Sequence, residues 1–425
     1  MTPSTIHPAP LQSTPQFTHW GGVSAVLFAG IVLGLYFGKA PPVLPVIKQE
    51  LGLSLVSAGF VVSAFNALAM VGAIVTGAAS DRFGALRFAI IGSLATGAGG
   101  LLGALAGGET TILLSRLVEG VGFVMLNVAA PALVVAASRP DRRSAMLGLW
   151  STYMPAGASI AIVASVLLTP VVGWRGLWVI CSVLALFAAS ALWSNRRSFG
   201  VLATPPRPMI DGKPRGGLKF GALRQVVPWL LGTAFALYAM EFLSIMAWLP
   251  TYLIETRGMS ATAASLMGAV YVAFNLVGCL GGSYMLRMNI SRGSLVIFTF
   301  VCLAIFANLL FATSLPEALR FAAALGISAV GGLIPAVAFS GSARYAREPG
   351  EVGVLHGLVV QLANVGQVLG PPLVAAAVTR FGTWDAALWV MLVCCTFGLA
   401  VGVLITRIEA ADRRHTIQAR PSPRL

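Results

Sequence analysis

Four charged side chains stand inside long apolar stretches of this chain: Lys39 near the end of the run that begins at Trp20, Arg116 and Glu119 in "SRLVEG", and Glu241 in "LYAMEFLSIMAW". If those stretches cross a bilayer, each charge costs about 2.5 to 3.5 kcal/mol on insertion scales, which makes all four the first candidates for chemistry. Glu241 has no charged neighbour in sequence, so its neutral form is favoured unless Lys39 or Arg116 reaches it. A carboxyl poised in that way can take up and release a proton, or it can simply hydrogen-bond to the next helix. Arg116 and Glu119, one helical turn apart, can pair with each other and so lower the cost of insertion. Lys39 is expected to snorkel to the interface, or, if it faces inward, to form an anion site together with Arg116.

Uncharged polar and aromatic residues at similar depth could line a pocket for a small solute: Tyr36, Asn66, Asn127, Tyr153, Tyr238, Tyr271, Asn275, Gln361, Asn364 and Gln367. Tyr and Asn supply hydrogen bonds without charge, although many such residues merely bridge helices. His356 falls near a helix end and reads as structural. Widely spaced glycines form a third set, with Gly148 and Gly157 in one run and Gly357, Gly366 and Gly370 with Pro371 in another. Small residues let helix backbones approach, and Pro frees a carbonyl and permits bending.

The elements that must position these residues are membrane helices. The 425 residues are 57% hydrophobic and only 10% charged, with a mean hydropathy of +0.86, against about 25% charged residues in soluble domains. A membrane-crossing helix needs about 20 mostly apolar residues. Windows of that length fall at about 20–40, 57–80, 88–108, 111–137, 144–170 and 174–194, and again at about 226–252, 262–286, 293–313, 317–340, 353–379 and 384–406. The alternating segments of a membrane barrel are absent. The expected fold is therefore all-α, with twelve transmembrane helices in two pseudo-symmetric six-helix bundles, 20–194 and 226–406. Residues 1–19 are expected to be a disordered tail, 195–225 a linker rich in Arg, Lys, Pro and Gly, and 407–425 a C-terminal tail.

Of the 28 Lys and Arg, all but Lys39, Lys48, Arg116, Arg175, Arg257, Arg320 and Arg380 fall on one side of this arrangement. That bias places both termini in the cytoplasm. The net charge of +14 is thus a topology signal. No basic run is interleaved with aromatics, so nucleic acid is not an expected partner. All five cysteines lie in apolar runs, with no disulfide framework or metal site implied.

The two halves repeat at an offset near 209. "AFN" recurs at 64–66 and 273–275, Gly148 and Gly157 meet Gly357 and Gly366, and Trp174 meets Trp384 at offset 210. Pro45 followed by "LGLS" resembles Pro250 followed by "RGMS". With an even number of helices in each half, the repeats share one orientation about an axis along the membrane normal.

At this point the chain resembles the major facilitator superfamily over nearly its whole length. The family's loop between its second and third helices runs close to GxxxDRxGxR. Gly77, Asp81, Arg82 and Gly84 match it, with Arg87 one place beyond the usual basic position. Arg116, Gly120 and Gly122 meet the fourth-helix pattern RxxxGxG, and "GWR" at 173–175 is also typical. These motifs specify the superfamily rather than a branch, the cyanate-permease-like and organic-anion branches being nearest in character. The resemblance implies that Asp81 latches the closed cytoplasmic side. On residues alone Asp81 is equally a helix cap. The second copy lacks the acid, with Leu286 and Arg287 in its place. The eleventh helix fits the family's G(x8)G(x3)GP pattern, but the fifth has Ala161 and Ile162 in place of the final Gly and Pro, so the pattern is incomplete as a sign of obligate exchange.

The resemblance implies a secondary active transporter of a small organic solute. Lys39 and Arg116 favour an anion, and the expected mechanism is alternating access with proton coupling across a bacterial inner membrane. Export of a drug, siderophore or other amphipath is the alternative. An integral-membrane enzyme would need clustered His, Asp or Cys near an interface, and His7, His19, His356 and His415 stand beside no such cluster. The chain is accordingly read as a non-enzyme without cofactor or metal, acting as a monomer in the lipid bilayer with protons and a small molecule as its partners. A non-transporting sensor on the same helices would be favoured by loss of the buried charges, which are retained here.

Overall fold

The computed structural model describes residues 17–139, 142, 146, 149–150, 152–203, 223–288, 290–345 and 352–418. The side chains of Ala78, Asp81, Arg82, Ser283, Ser342, Ala343, Val352 and Gly353, and of 201–203 and 412–418, are outside the description. Among the described residues the chain is helical without strands, and eleven helices are long and apolar enough to cross a membrane. One of them, Tyr153–Ser194, is two spans joined at Gly173, whose φ of +68° breaks the helix where the sequence separates the fifth window from the sixth. Counting both arms gives the expected twelve.

The first half contains α1 (Trp20–Gly38), α2 (Leu44–Glu50), α3 (Leu55–Ser63), α4 (Ala67–Phe83), α5 (Ala85–Ala104), α6 (Glu109–Ala137) and the bent α7 (Tyr153–Ser194). The second half contains α8 (Val226–Arg257), α9 (Ala261–Arg287), α10 (Arg292–Phe311), α11 (Glu317–Gly331), α12 (Leu333–Tyr345), α13 (Val352–Phe381) and α14 (Ala386–Gln418). Two expected spans are interrupted, and the first runs on past its expected end through a turn. A short 3₁₀ turn at Pro41–Val43 links α1 to α2, another at Ala64–Asn66 links α3 to α4, and α11 gives way to α12 at Gly332.

The repeat is visible as chemistry. Gly52 and Gly258 both adopt left-handed φ, +63° and +61°, and so end the preceding helix. Two residues later Ser54 and Ser260 each cap the next helix, accepting from Ser57 N at 3.0 Å and Ala263 N at 3.3 Å. These are the "LGLS" and "RGMS" strings. Trp174 Nε1 donates to Glu50 at 2.6 Å, and Trp384 Nε1 donates to Glu255 at 3.0 Å, the same tie between the end of a first helix and the start of a sixth. A Cβ on Gly157 would run into the Ile31 carbonyl, and one on Gly366 into the Ala236 carbonyl. Ile31 and Ala236 are themselves related by the offset of 205 that links the two prolines. Both glycines are thus required for the same close helix crossing.

Within the first half α1 packs on the first arm of α7, and α5 on α6 and the second arm of α7. Within the second, α8 packs on α13 and α10 on α14. The halves meet along two seams, α3 and α4 against α13, and α7 against α9. A cavity of about 480 Å³ between them is lined from the first half by Leu44, Pro45, Lys48, Gln49, Gly52, Leu53 and Leu55, and from the second by Trp248, Thr251 and Glu255.

Three boundaries differ from expectation. Residues 17–19 of the N-terminal tail are pinned to the end of α6, with His19 N donating to Ala137 O at 2.8 Å and Arg139 N to Thr18 Oγ1 at 3.3 Å. The linker begins docked, with Phe199 buried beside Gly22. Helix α14 continues to Gln418 rather than ending near 406, because the polar residues after Thr406 are good helix formers that extend the last span.

Candidate buried-charge site

The run from Trp20 does not end at Lys39. The chain continues through Pro41–Val43 and α2 to Glu50, a span of 31 residues, which leaves Lys39 well inside it. This overturns the snorkelling expectation: Lys39 is 0% exposed. Its Nζ donates to Glu119 Oε1 at 2.8 Å and stands over the rings of Tyr36, at 3.8 Å, and Trp178, at 4.3 Å.

Arg116 and Glu119 face the same point from α6. Their spacing of three puts both on one face of the helix, and Arg116 Nη1 donates to Glu119 Oε2. Arg116 Nε donates to Val61 O at 2.8 Å and Nη1 also to Tyr36 O at 3.2 Å, while the guanidinium lies 4.9 Å from the Phe65 ring centroid. All three charged side chains are 0% exposed. One carboxylate therefore answers two cations, and Arg116 Nη2 is left buried without a partner. With all three groups ionised the cluster carries a formal excess of one positive charge in a buried setting.

Glycines allow the close packing. A Cβ on Gly99 would come within 2.6 Å of Glu119 N, and one on Gly103 within 2.5 Å of Trp178 Cδ1. Tyr36 OH donates to Ser182 Oγ at 3.3 Å. Sequence reasoning missed Trp178, Ser182 and Phe65. Trp178 lies one turn after Trp174 on the sixth-span arm, and its indole Nε1 is also buried without a partner.

Glu241 stands apart from this cluster. It is 2% exposed on α8, where Cys395 Sγ of α14 donates to Oε1 at 3.4 Å and Oε2 has no partner. Lys39 and Arg116 are committed to Glu119 and do not reach it.

The remaining candidates divide between bridges and the seam. Tyr153 OH donates to Asn127 Oδ1 at 2.8 Å, and Asn275 Nδ2 donates to Tyr238 OH and to Ser328 O, the latter at 3.1 Å. Tyr271 OH donates to Phe242 O at 3.4 Å. These tie helices together within each half. Gln361 reaches across the seam, accepting from Ile74 N at 3.5 Å. Asn66 and Asn364 are buried at that seam, and Gln367 Oε1 is buried without a partner. His356 stacks on Phe339 at 4.8 Å.

At the opposite end, α4 stops at Phe83 and Gly84, with φ of +97°, turns the chain directly into α5, where Arg87 is exposed. A Cβ on Gly77 would meet nothing within 4 Å. The latch assigned to Asp81 and Arg82 involves side chains outside the described ones, as does Gly148. Gly370 packs on Met240 O, and Pro371 O accepts from Trp248 Nε1 at 2.9 Å.

The Major Facilitator Superfamily profile matches residues 26–364. The hexuronate transporter of Bacillus subtilis is 24% identical over 390 residues, covering 85% of this chain and 88% of that protein. The puromycin resistance protein pur8 of Streptomyces alboniger is 30% identical over 191 residues, 43% of this chain and 37% of that protein. The probable sulfoacetate transporter of Cupriavidus necator is 25% identical over 267 residues, 59% and 61% of the two chains. Among solved structures, a bacterial homologue of the human lysosomal transporter Spinster, crystallised in an inward-facing and occupied conformation, shares the fold with a TM-score of 0.73 at 16% identity, over 95% of this chain and 98% of that one. Twelve spans, a duplicated set of helix ends and a match over most of its length together mean that the chain belongs to the Major Facilitator Superfamily and is a transporter.

Proposed function

We propose that the protein carries a small organic anion together with a proton across the bacterial inner membrane by alternating access, with 20–194 and 226–406 as the two moving bodies and both termini cytoplasmic. The observation that carries this reading is the imbalance at Glu119: one buried carboxylate between two buried cations, with a guanidinium N–H left over. Leaving a buried charge uncompensated is costly, so the site favours an arriving anion. Protonation of Glu119 would release Lys39 and Arg116 to bind the solute carboxylate, and departure of the solute would let Glu119 give the proton up and re-form both pairs. Proton and anion thus bind together or leave together. Two relatives named for hexuronate and sulfoacetate, both organic anions, support the substrate class.

The test is uptake into proteoliposomes of labelled uronates and sulfonates under an inward proton gradient, with internal pH followed at the same time. Accumulation that collapses with the gradient, accompanied by solute-dependent internal acidification, is expected. Anion uptake without proton movement would remove the coupling step.

A second reading, proton-driven efflux of an amphipathic drug or siderophore, is favoured by the pur8 relative and by the tight contact of Gly366 and Gly370 with α8. Puromycin in the same assay, moving against the proton, would support it.

A further inference from the structure

The seam between α3–α4 and α13 has a defined register. A Cβ on Gly59 would lie 3.2 Å from Pro372 N and 3.3 Å from Pro371 C, and one on Gly357 would lie 3.2 Å from Ile74 Cα. The two strings run antiparallel, so the paired numbers have a nearly constant sum, and the position level with Asn66 is Asn364 or Val365. Residues seven apart return to nearly the same helix face, within about 20°. Asn66 is seven after Gly59, and Asn364 is seven after Gly357, so each asparagine sits on the face its glycine turns toward the other helix. The 3₁₀ turn at Ala64–Asn66 advances the first face by about 60°, which leaves Asn66 about 40° from the direction of Gly59 and still toward α13. Gln361, on the same face of α13, reaches Ile74 N and confirms the direction.

These two level asparagines are buried, at 0% and 3% exposure, and do not bond to each other. Asn66 leaves both Oδ1 and Nδ2 without partners, and Asn364 leaves Oδ1 free while Nδ2 donates to Val360 O at 2.8 Å. Buried amides left unmet are costly, so their pattern of donors and acceptors says what they are built to receive. Two unmet carbonyl oxygens beside an unmet N–H₂ group, which carries two N–H donors, do not suit a carboxylate, since it donates nothing to the oxygens. An ammonium group would leave the Asn66 N–H₂ unmet and would add charge to a protein whose other buried site is already positive. Hydroxyl groups donate and accept at once and meet all three.

We infer that Asn66 and Asn364 form a hydroxyl-binding element in the seam, and that the transported anion is therefore a polyhydroxylated carboxylate. This inference rests on the anion-transport reading above and adds the chemistry of the solute's uncharged portion. The element spans both halves, so hydroxyl binding there depends on the position of one half against the other.

The experiment compares uptake of labelled galacturonate and hexanoate, each a six-carbon monocarboxylate, one hydroxylated and one not, in proteoliposomes of the full chain. The wild type is expected to prefer galacturonate by at least about tenfold. Asn66→Leu and Asn364→Leu should each lower galacturonate uptake by about tenfold while leaving hexanoate uptake unchanged. Because either variant could fail to fold, the wild type is also tested for inhibition of galacturonate uptake by unlabelled galactonate and by hexanoate, with the former expected to compete at least about tenfold more strongly. Equal transport of both acids, or a preference that survives both substitutions, overturns the hydroxyl element and assigns the asparagines to bound water, while anion transport stands. Failure of both acids to cross overturns the anion reading and this inference with it.

Discussion

Replacing Glu119 by Gln separates anion binding from proton coupling. In the structure its two oxygens engage Lys39, at 2.8 Å, and Arg116. At an effective dielectric of about 20 and a separation of about 4 Å, each attraction is worth about 4 kcal/mol. An arriving carboxylate must displace that attraction from at least one cation, unless Glu119 has been neutralised by a proton. The amide is permanently neutral, so the competition disappears. Part of the gain is offset because two cations without a counter-charge are expensive to bury: removing one partner of a buried pair costs about 3 to 5 kcal/mol of stability. The variant should therefore unfold at lower temperature without ligand, recover on adding the anion, and bind that anion at least about tenfold more tightly than the wild type at neutral pH. The sign of the pH effect follows from linkage. If one proton is taken up with each anion, wild-type affinity strengthens about tenfold for each unit by which pH falls, and the variant's affinity is flat. Calorimetric titration and thermal unfolding in detergent, across mildly acidic to mildly alkaline buffers, measure both quantities. A variant that keeps the wild-type slope would refute the assignment of the proton to Glu119.

Three further outcomes are expected. Glu241→Gln, at a site whose recorded partner is the Cys395 thiol, should retain proton-driven accumulation, and loss of accumulation with intact binding would move the coupling proton to the second half. Gly157→Val and Gly366→Val each drive side-chain atoms into a carbonyl of the facing helix, so both should lose at least about 1 to 3 kcal/mol and do so to a similar degree, read from thermal unfolding in detergent. Trp174→Phe and Trp384→Phe each delete one hydrogen bond to a glutamate that is largely exposed, and each should cost only about 0.5 to 1.5 kcal/mol in the same measurement.

The spans were readable because charge-free runs of bilayer length admit few other solutions, and the break at Gly173 fell where the two windows had been separated. The interruptions at Pro41–Val43, Ala64–Asn66 and Gly332 were not readable, since hydropathy averages over a turn and does not register three residues of altered winding. That loss had a consequence for the site. Without the continuation from Gly38 to Glu50, Lys39 looked like the end of a span, and its proximity to Glu119 depends on how α1 lies against α6, which no local spacing encodes. The Arg116–Glu119 pair was readable because both partners share one helix and a spacing of three. Glu241 drew attention for its isolation, and the structure keeps it isolated. What distinguishes the two carboxyls is tertiary: one has cations brought to it by a second helix, and the other has a thiol.

The repeat makes that difference informative. Helix ends have kept their shared chemistry, with Gly52 and Gly258 turning, Ser54 and Ser260 capping, and Glu50 and Glu255 each held by an indole. The charged cluster has not been kept. At the local offsets, Lys39, Arg116 and Glu119 correspond to Ser244, Leu325 and Ser328. All three charges therefore belong to one half, and rocking one half against the other leaves their mutual distances unchanged. A transporter that split such a pair across its seam would have to separate two desolvated charges in every cycle, at a cost of several kcal/mol. Among the described residues the seam α3–α4 against α13 is crossed by uncharged contacts, the Gln361 amide on Ile74 N and the glycine–backbone approaches at Gly59 and Gly357, which part cheaply. On the proposed mechanism the charge balance is settled within the first half by proton and anion, and the second half supplies a neutral face that can move against it.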